Sequence, residues 1–208
     1  MPLRTLGEHA GTTLWAMVVF ACGFALAFPV VHFRARSLLI FPQWLLRVAR
    51  KYLRPELSPF LLFAFIFCFN TVAIFCYMAS GGLVFLPIVF GLLTGLNVGV
   101  VLLEDAREAA AAPPASAVPA RAWVGFCSLF VVVAELSSFW FAIGMGIRMG
   151  HLMRENFTWT TFEQALVPRA LAYVLVIVPV LALSAAAETA AIKAMLRSEG
   201  ADAPDDGP

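Results

Sequence analysis

Five long apolar runs separated by short polar intervals organise this chain: Thr12–Phe33, Phe60–Ala79, Leu83–Leu103, Trp123–Ile147 and Val167–Ala191. Each is close to the ~20 residues that one helix needs to cross the hydrocarbon core of a bilayer. None shows the period-two alternation of a membrane barrel strand. The pattern predicts an all-α fold: a polytopic membrane bundle of five transmembrane helices, in a single domain over residues 1–197. A sixth helix of different character is predicted in the first loop, over residues 41–54. There Pro42 suits a first helical turn, and Phe41, Trp44, Leu45, Val48 and Tyr52 recur at helical spacing. Arg47, Arg50, Lys51 and Arg54 occupy another face of the same helix, the pattern of a basic amphipathic helix lying on a membrane surface. Two segments carry no periodic pattern. The Ala/Pro-rich stretch 109–120 reads as a flexible linker, and the acidic tail 198–208 as disordered.

Composition removes the water-soluble alternative. A chain that is 62% hydrophobic and 13% charged cannot clothe a soluble globule with polar surface. Charge then suggests an orientation. With five spans, ten of the 14 Lys and Arg residues fall on one side, six of them between Arg34 and Arg54. The positive-inside rule makes that side cytoplasmic, so the amino terminus is expected outside and the carboxyl terminus inside a bacterial or archaeal cell membrane. Ala25-Leu26-Ala27 resembles a signal-peptidase site, but the apolar core before it is longer than a signal peptide's and is read as a span.

Against this apolar background the polar residues stand out. Glu135 lies near the middle of the fourth run, where an acidic side chain costs roughly 2.5–3.5 kcal/mol unless it faces protein or water or has a partner. Asn70 lies mid-way along the second run and Asn97 toward the far end of the third, completing a candidate buried polar centre. An amide or the hydroxyl of Ser137 or Ser138 would satisfy Glu135 structurally; a proton or cation would do so functionally. Arg169 and Glu188 are secondary, placed at opposite ends of the fifth run, from where Glu188 can reach an interface. Small residues mark helix contacts: Gly91, Gly95 and Gly99 on the third run, Ala182, Ala186 and Ala190 on the fifth, and Gly146 on the fourth. Gly81-Gly82 is the expected turn between the second and third spans.

Catalytic and metal-binding constellations are lacking in the sequence. His9, His32 and His151 have no ligand spacing, and Cys22, Cys68, Cys76 and Cys127 sit inside apolar runs as packed thiols. There is no Walker A loop, nucleophile elbow or dinucleotide fingerprint. The expectation is a non-enzymatic protein with no cofactor, no metal and no nucleic-acid partner.

The order and spacing of several segments resemble the stage II sporulation protein M (SpoIIM) family of integral membrane proteins. The aromatic-rich run Phe63–Phe75, with Asn70-Thr71 within it, is similar to that family's second-span signature, which typically ends in an Asn-Asn pair. Gly95-Leu96-Asn97-Val98-Gly99 resembles its next Asn/Gly motif, Glu135–Arg148 its fourth-span stretch, and Arg169-Ala170-Leu171 with Ala186-Ala187-Glu188 its last span. Together these cover most of residues 60–190. Two positions depart from the family pattern: Val131-Val132-Val133 stands where Pro-His-Gly is common, and Thr71 where the second Asn is usual. The resemblance implies a membrane scaffold that positions envelope proteins during membrane or wall remodelling. Homo-oligomers or envelope proteins are then the expected partners, with anionic lipid headgroups at the basic loop. The competing expectation is transport, by a small permease or the membrane half of a complex with a separate ATPase, along a polar pathway centred on Glu135.

Overall fold

The computed structural model describes residues 10–52, 57–111 and 120–201, and every regular element among them is helical. In chain order these are α1 (Ala10–His32), α2 (Arg36–Tyr52), α3 (Pro59–Ala79), α4 (Leu86–Ala111), α5 (Ala120–Glu155), α6 (Trp159–Ala172) and α7 (Val178–Ala201). A π-helical turn, Tyr173–Ile177, joins α6 to α7 in one continuous rod. Among the described residues five stretches are long and apolar enough to cross a membrane: Ala10–His32, Pro59–Leu83, Leu86–Glu104, Val124–Glu155 and Trp159–Leu196. The protein is a multi-pass membrane protein built as a helical bundle. Large side chains such as Leu14, Trp15, Phe60, Phe126, Leu129 and Leu183 point outward, as lipid-facing residues do.

Local sequence explains the helix ends. Ser58 caps α3, its Oγ accepting from the Leu61 N–H at 3.3 Å, and Pro59 follows where a missing N–H is harmless. Thr158 caps α6 in the same way, accepting from the Thr161 N–H at 3.1 Å. α1 ends in a Schellman turn: the Ala35 N–H reaches the Val30 carbonyl at 3.0 Å and the Arg34 N–H reaches that of Val31 at 3.3 Å. Arg34 supplies the left-handed residue of that turn, at φ 52°. The π turn precedes Pro179, which has no N–H for the Leu175 carbonyl, and the Val178 N–H reaches back five residues to Tyr173 instead.

α1 and α4, the first and third spans, run parallel and make the most extensive contact in the bundle. Gly23, Gly91, Gly95 and Gly99 permit it. A Cβ on Gly23 would fall on the Leu92 carbonyl, one on Gly95 on the Phe20 carbonyl, and one on Gly99 at 2.6 Å from Ala27 Cβ. The glycine stripe therefore packs within the chain. The fourth span, α5, passes between this pair and a second group formed by α3 and α7. Phe20, Phe139 and Ile143 pack on one side of it, and Met78, Met145, Ile177 and Leu181 on the other.

Several sequence expectations need correction. α2 begins at Arg36, so Pro42 is buried inside the helix and not in its first turn; Leu39, packed with Ala27, Val30, Leu96 and Val100, extends the helix backward. Gly81 and Gly82 form a 3₁₀ turn without positive φ, and the left-handed residue there is Val84, at φ 50°, with the Phe85 N–H bonded to the Leu83 carbonyl. The two glycines serve proximity, since a Cβ on Gly81 would fall on the Gly146 carbonyl and one on Gly82 at 2.8 Å from the Phe162 ring. In the alanine stripe of the fifth span Ala182 is half-buried, while Ala186 and Ala190 face outward. The last helix runs through residues 198–201, which corrects the expectation of disorder there. Residues 109–111 of the expected linker continue α4, residue 120 begins α5, and 112–119 and 202–208 lie outside the described residues.

Candidate functional site

Asn70 and Glu135, separated by 65 residues, meet where α3 crosses α5. The Asn70 amide donates from Nδ2 to Glu135 Oε1 at 2.6 Å. Ser184 on α7 donates its hydroxyl to the same Oε1 at 3.2 Å. Three spans are thus tied through one carboxylate oxygen. Both bonds converge on Oε1, and among the described residues Oε2 has no hydrogen-bond partner. Glu188, one helical turn beyond Ser184, is half-buried and stands within electrostatic reach of Glu135. One turn before Glu135, Val131 is buried and apolar, so that helix face offers no second titratable group.

Polar contacts continue around this centre. The Tyr173 hydroxyl, in the π turn, donates to the Thr71 carbonyl at 2.5 Å, next to Asn70 in sequence. Thr94 and Tyr77 hydroxyls meet at 3.4 Å between α4 and α3. Lys193 Nζ donates to the Leu57 carbonyl at 2.6 Å, fastening the lead-in to α3 against α7. The α3–α5–α7 group is therefore bonded at several levels as well as packed.

The sequence-derived residues separate into distinct places. Asn70 and Glu135 are together. Asn97, half-buried on α4, makes no hydrogen bond to either among the described residues; α4 makes its most extensive contact with α1. Ser137 is exposed and Ser138 buried, yet neither bonds to Glu135; the hydroxyl at the site is Ser184. Its signal was present, since Ser184 lies four residues before Glu188 and so on the same helix face. Glu188 is not at a helix end, since α7 continues to Ala201 and holds it inside the bundle. Arg169 is buried at 7% exposure, with Nη1 donating to the Ala165 carbonyl at 2.5 Å one turn back. Gly146 packs closely on α3, a Cβ there falling 2.9 Å from the Tyr77 carbonyl.

The surface helix α2 shows Phe41 and Trp44 exposed and stacked, their ring centroids 5.9 Å apart. Arg47 is exposed, with Nε on the Gln43 carbonyl at 3.3 Å. Arg50 and Lys51 belong to the same helix, and Arg54 lies outside the described residues. Among the described residues no group of three or more His, Cys, Asp or Glu side chains is arranged to hold a metal ion. Cys22, Cys68 and Cys76 are exposed on the outer faces of the spans and Cys127 is buried, all as free thiols. No protein-family model, curated protein or solved structure matches the chain.

Proposed function

We propose that the chain is a SpoIIM-like, non-enzymatic membrane scaffold that positions partner proteins in envelope or membrane remodelling. The observation that carries this reading is the link that one oxygen of the deep acid makes between three spans of the same chain. Glu135 is tied to α3 through Asn70 and to α7 through Ser184, so its polar group serves to fix three spans relative to one another. A scaffold requires such a fixed frame to present a surface. The basic surface helix is the presenting element, with Arg47, Arg50, Lys51 and Arg54 available to acidic partners and to anionic lipid headgroups. In this reading the protein lies in a bacterial or archaeal cell membrane, amino terminus outside and carboxyl terminus in the cytoplasm, as a homo-oligomer or beside an envelope protein. Neutralising Arg47, Arg50, Lys51 and Arg54 is expected to lower partner recovery after crosslinking in native membranes while leaving the bundle folded. Undiminished recovery would remove this role from the helix.

A second reading, transport, is favoured by two specific features: the free Oε2 of Glu135 and the position of Glu188 one turn from Ser184 on the same face of α7. An unengaged carboxylate oxygen beside a second acid is a combination that can take up a proton or a small cation. Glu135→Gln keeps an oxygen for Asn70 and Ser184 but removes the charge. Loss of proton or cation flux in reconstituted vesicles with unchanged assembly would establish transport, and dependence of that flux on ATP would add a separate ATPase as driver; unchanged flux favours the scaffold.

A further inference from the structure

Two adjoining cavities, of about 530 and 650 Å³, open where α1 ends, α2 begins and α4 leaves the membrane-spanning stretch. They share Val31, Arg34 and Arg107. Arg36 and Gln43 extend the rim on α2, and Phe28 and Leu103 form the wall that descends along the spans. Each cavity falls within the roughly 300–1,000 Å³ typical of small-molecule sites. Because α1 and α4 run parallel, their carboxyl-terminal ends emerge on the same side. The Schellman turn at Arg34 folds the chain back there and directs α2 across the opening.

The charge of this cleft is unbalanced. Arg34, Arg36 and Arg107 contribute three guanidinium groups to its lining, and Glu104 is the acidic residue among them. Among the described residues, none of the three arginines is within ion-pair distance of a carboxylate. Guanidinium groups match phosphate oxygens in pairs, and three around one opening form an anion site. The wall selects among anions. Phe28 is 55% exposed and continues the cavity into the apolar face of α1, so a cationic rim stands above a hydrocarbon-compatible groove. A free anion would use the rim alone, whereas a phospholipid uses both.

We propose that this cleft binds an anionic phospholipid, with Arg34, Arg36 and Arg107 on the phosphate and one acyl chain along Phe28 and Leu103. This stands whether the bundle acts as scaffold or as carrier. It differs from diffuse attraction at α2, since the arginines of the cleft come from three elements and converge on one opening.

The test uses the purified full-length chain in detergent, titrated with phosphatidylglycerol or phosphatidylcholine and followed by native mass spectrometry. Phosphatidylglycerol is expected to be retained in preference, and Arg36→Gln/Arg107→Gln to weaken its binding by about tenfold or more. Arg47→Gln/Lys51→Gln removes the same charge from α2 and is expected to weaken it by less than about threefold. Arg34→Asn, whose side chain tolerates the left-handed turn, provides a second variant with the fold preserved, and the same loss is expected. Equal weakening by the two double variants, no preference over phosphatidylcholine, or displacement of the lipid by millimolar inorganic phosphate would each overturn the proposal.

Discussion

At the residue scale, Asn70 and Glu135 offer a bond whose strength can be isolated. Interhelical hydrogen bonds inside membranes average about 0.6 kcal/mol and reach about 1.7, because the unfolded chain in lipid also finds partners. The short 2.6 Å contact with a charged or acid group places this pair toward the upper end. A double-mutant cycle of Asn70→Ala and Glu135→Ala, measured by denaturant unfolding in micelles, should give a coupling of about 1 kcal/mol. Zero coupling would mean that Ser184 alone satisfies the acid. Asn70→Asp should be worse than Asn70→Ala, since it sets a carboxylate against Oε1 where an N–H donor stood. Glu135 was legible as the costly residue from its position in an apolar run, and Asn70 as an amide at similar depth. Ser184 was not singled out, because a serine in an alanine-rich helix looks like one more small packing residue until its turn-mate Glu188 is considered.

At the element scale, the same kind of sequence stripe has two different fates. Gly91, Gly95 and Gly99 are pressed against α1, whereas Ala186 and Ala190 face outward. Gly95→Leu should therefore lower stability by about 3 kcal/mol or more, seen as loss of folded protein from membranes, because its side chain has only the Phe20 backbone to enter. Ala186→Leu should change monomer stability by about 0.5 kcal/mol or less. A comparable loss in both variants would contradict the placement of α7. The Schellman turn ending α1 makes another contrast. Arg34→Gly relieves a left-handed arginine and should raise stability by roughly 0.5–1 kcal/mol, read as a higher melting temperature, while removing one cation from the cleft. Helix number and type were legible because ~20-residue apolar runs admit few alternatives. Helix ends were less so. Leu39 draws α2 back past Pro42, and the π turn before Pro179 lets the last rod continue, both effects of packing or backbone rearrangement that periodicity does not register.

At the scale of the whole molecule, the bundle fixes which chain segments share a side, and charge then selects the side. The parallel run of α1 and α4 sets Arg34, Arg36 and Arg107 together, while α5 carries Arg148 and Arg154 to the opposite end with the turn to α6. Six Lys and Arg residues between Arg34 and Arg54 outweigh the sparse basic residues of that far side. Short loops with such a surplus are retained in the cytoplasm during insertion. Ser37 and Asn156 are both exposed and lie at these two ends, so they report orientation without disturbing a packed helix. In a chain with its four native cysteines replaced by serine, Asn156→Cys should react with a membrane-impermeant maleimide in intact cells. Ser37→Cys should react only after the membrane is opened. The reverse pattern would place the arginine cleft on the outer leaflet and make extracellular lipids or envelope components its ligands. Labelling of both in intact cells would show that one of α3, α4 and α5 fails to cross, and with it the five-span frame that holds Asn70 against Glu135 would have to be redrawn.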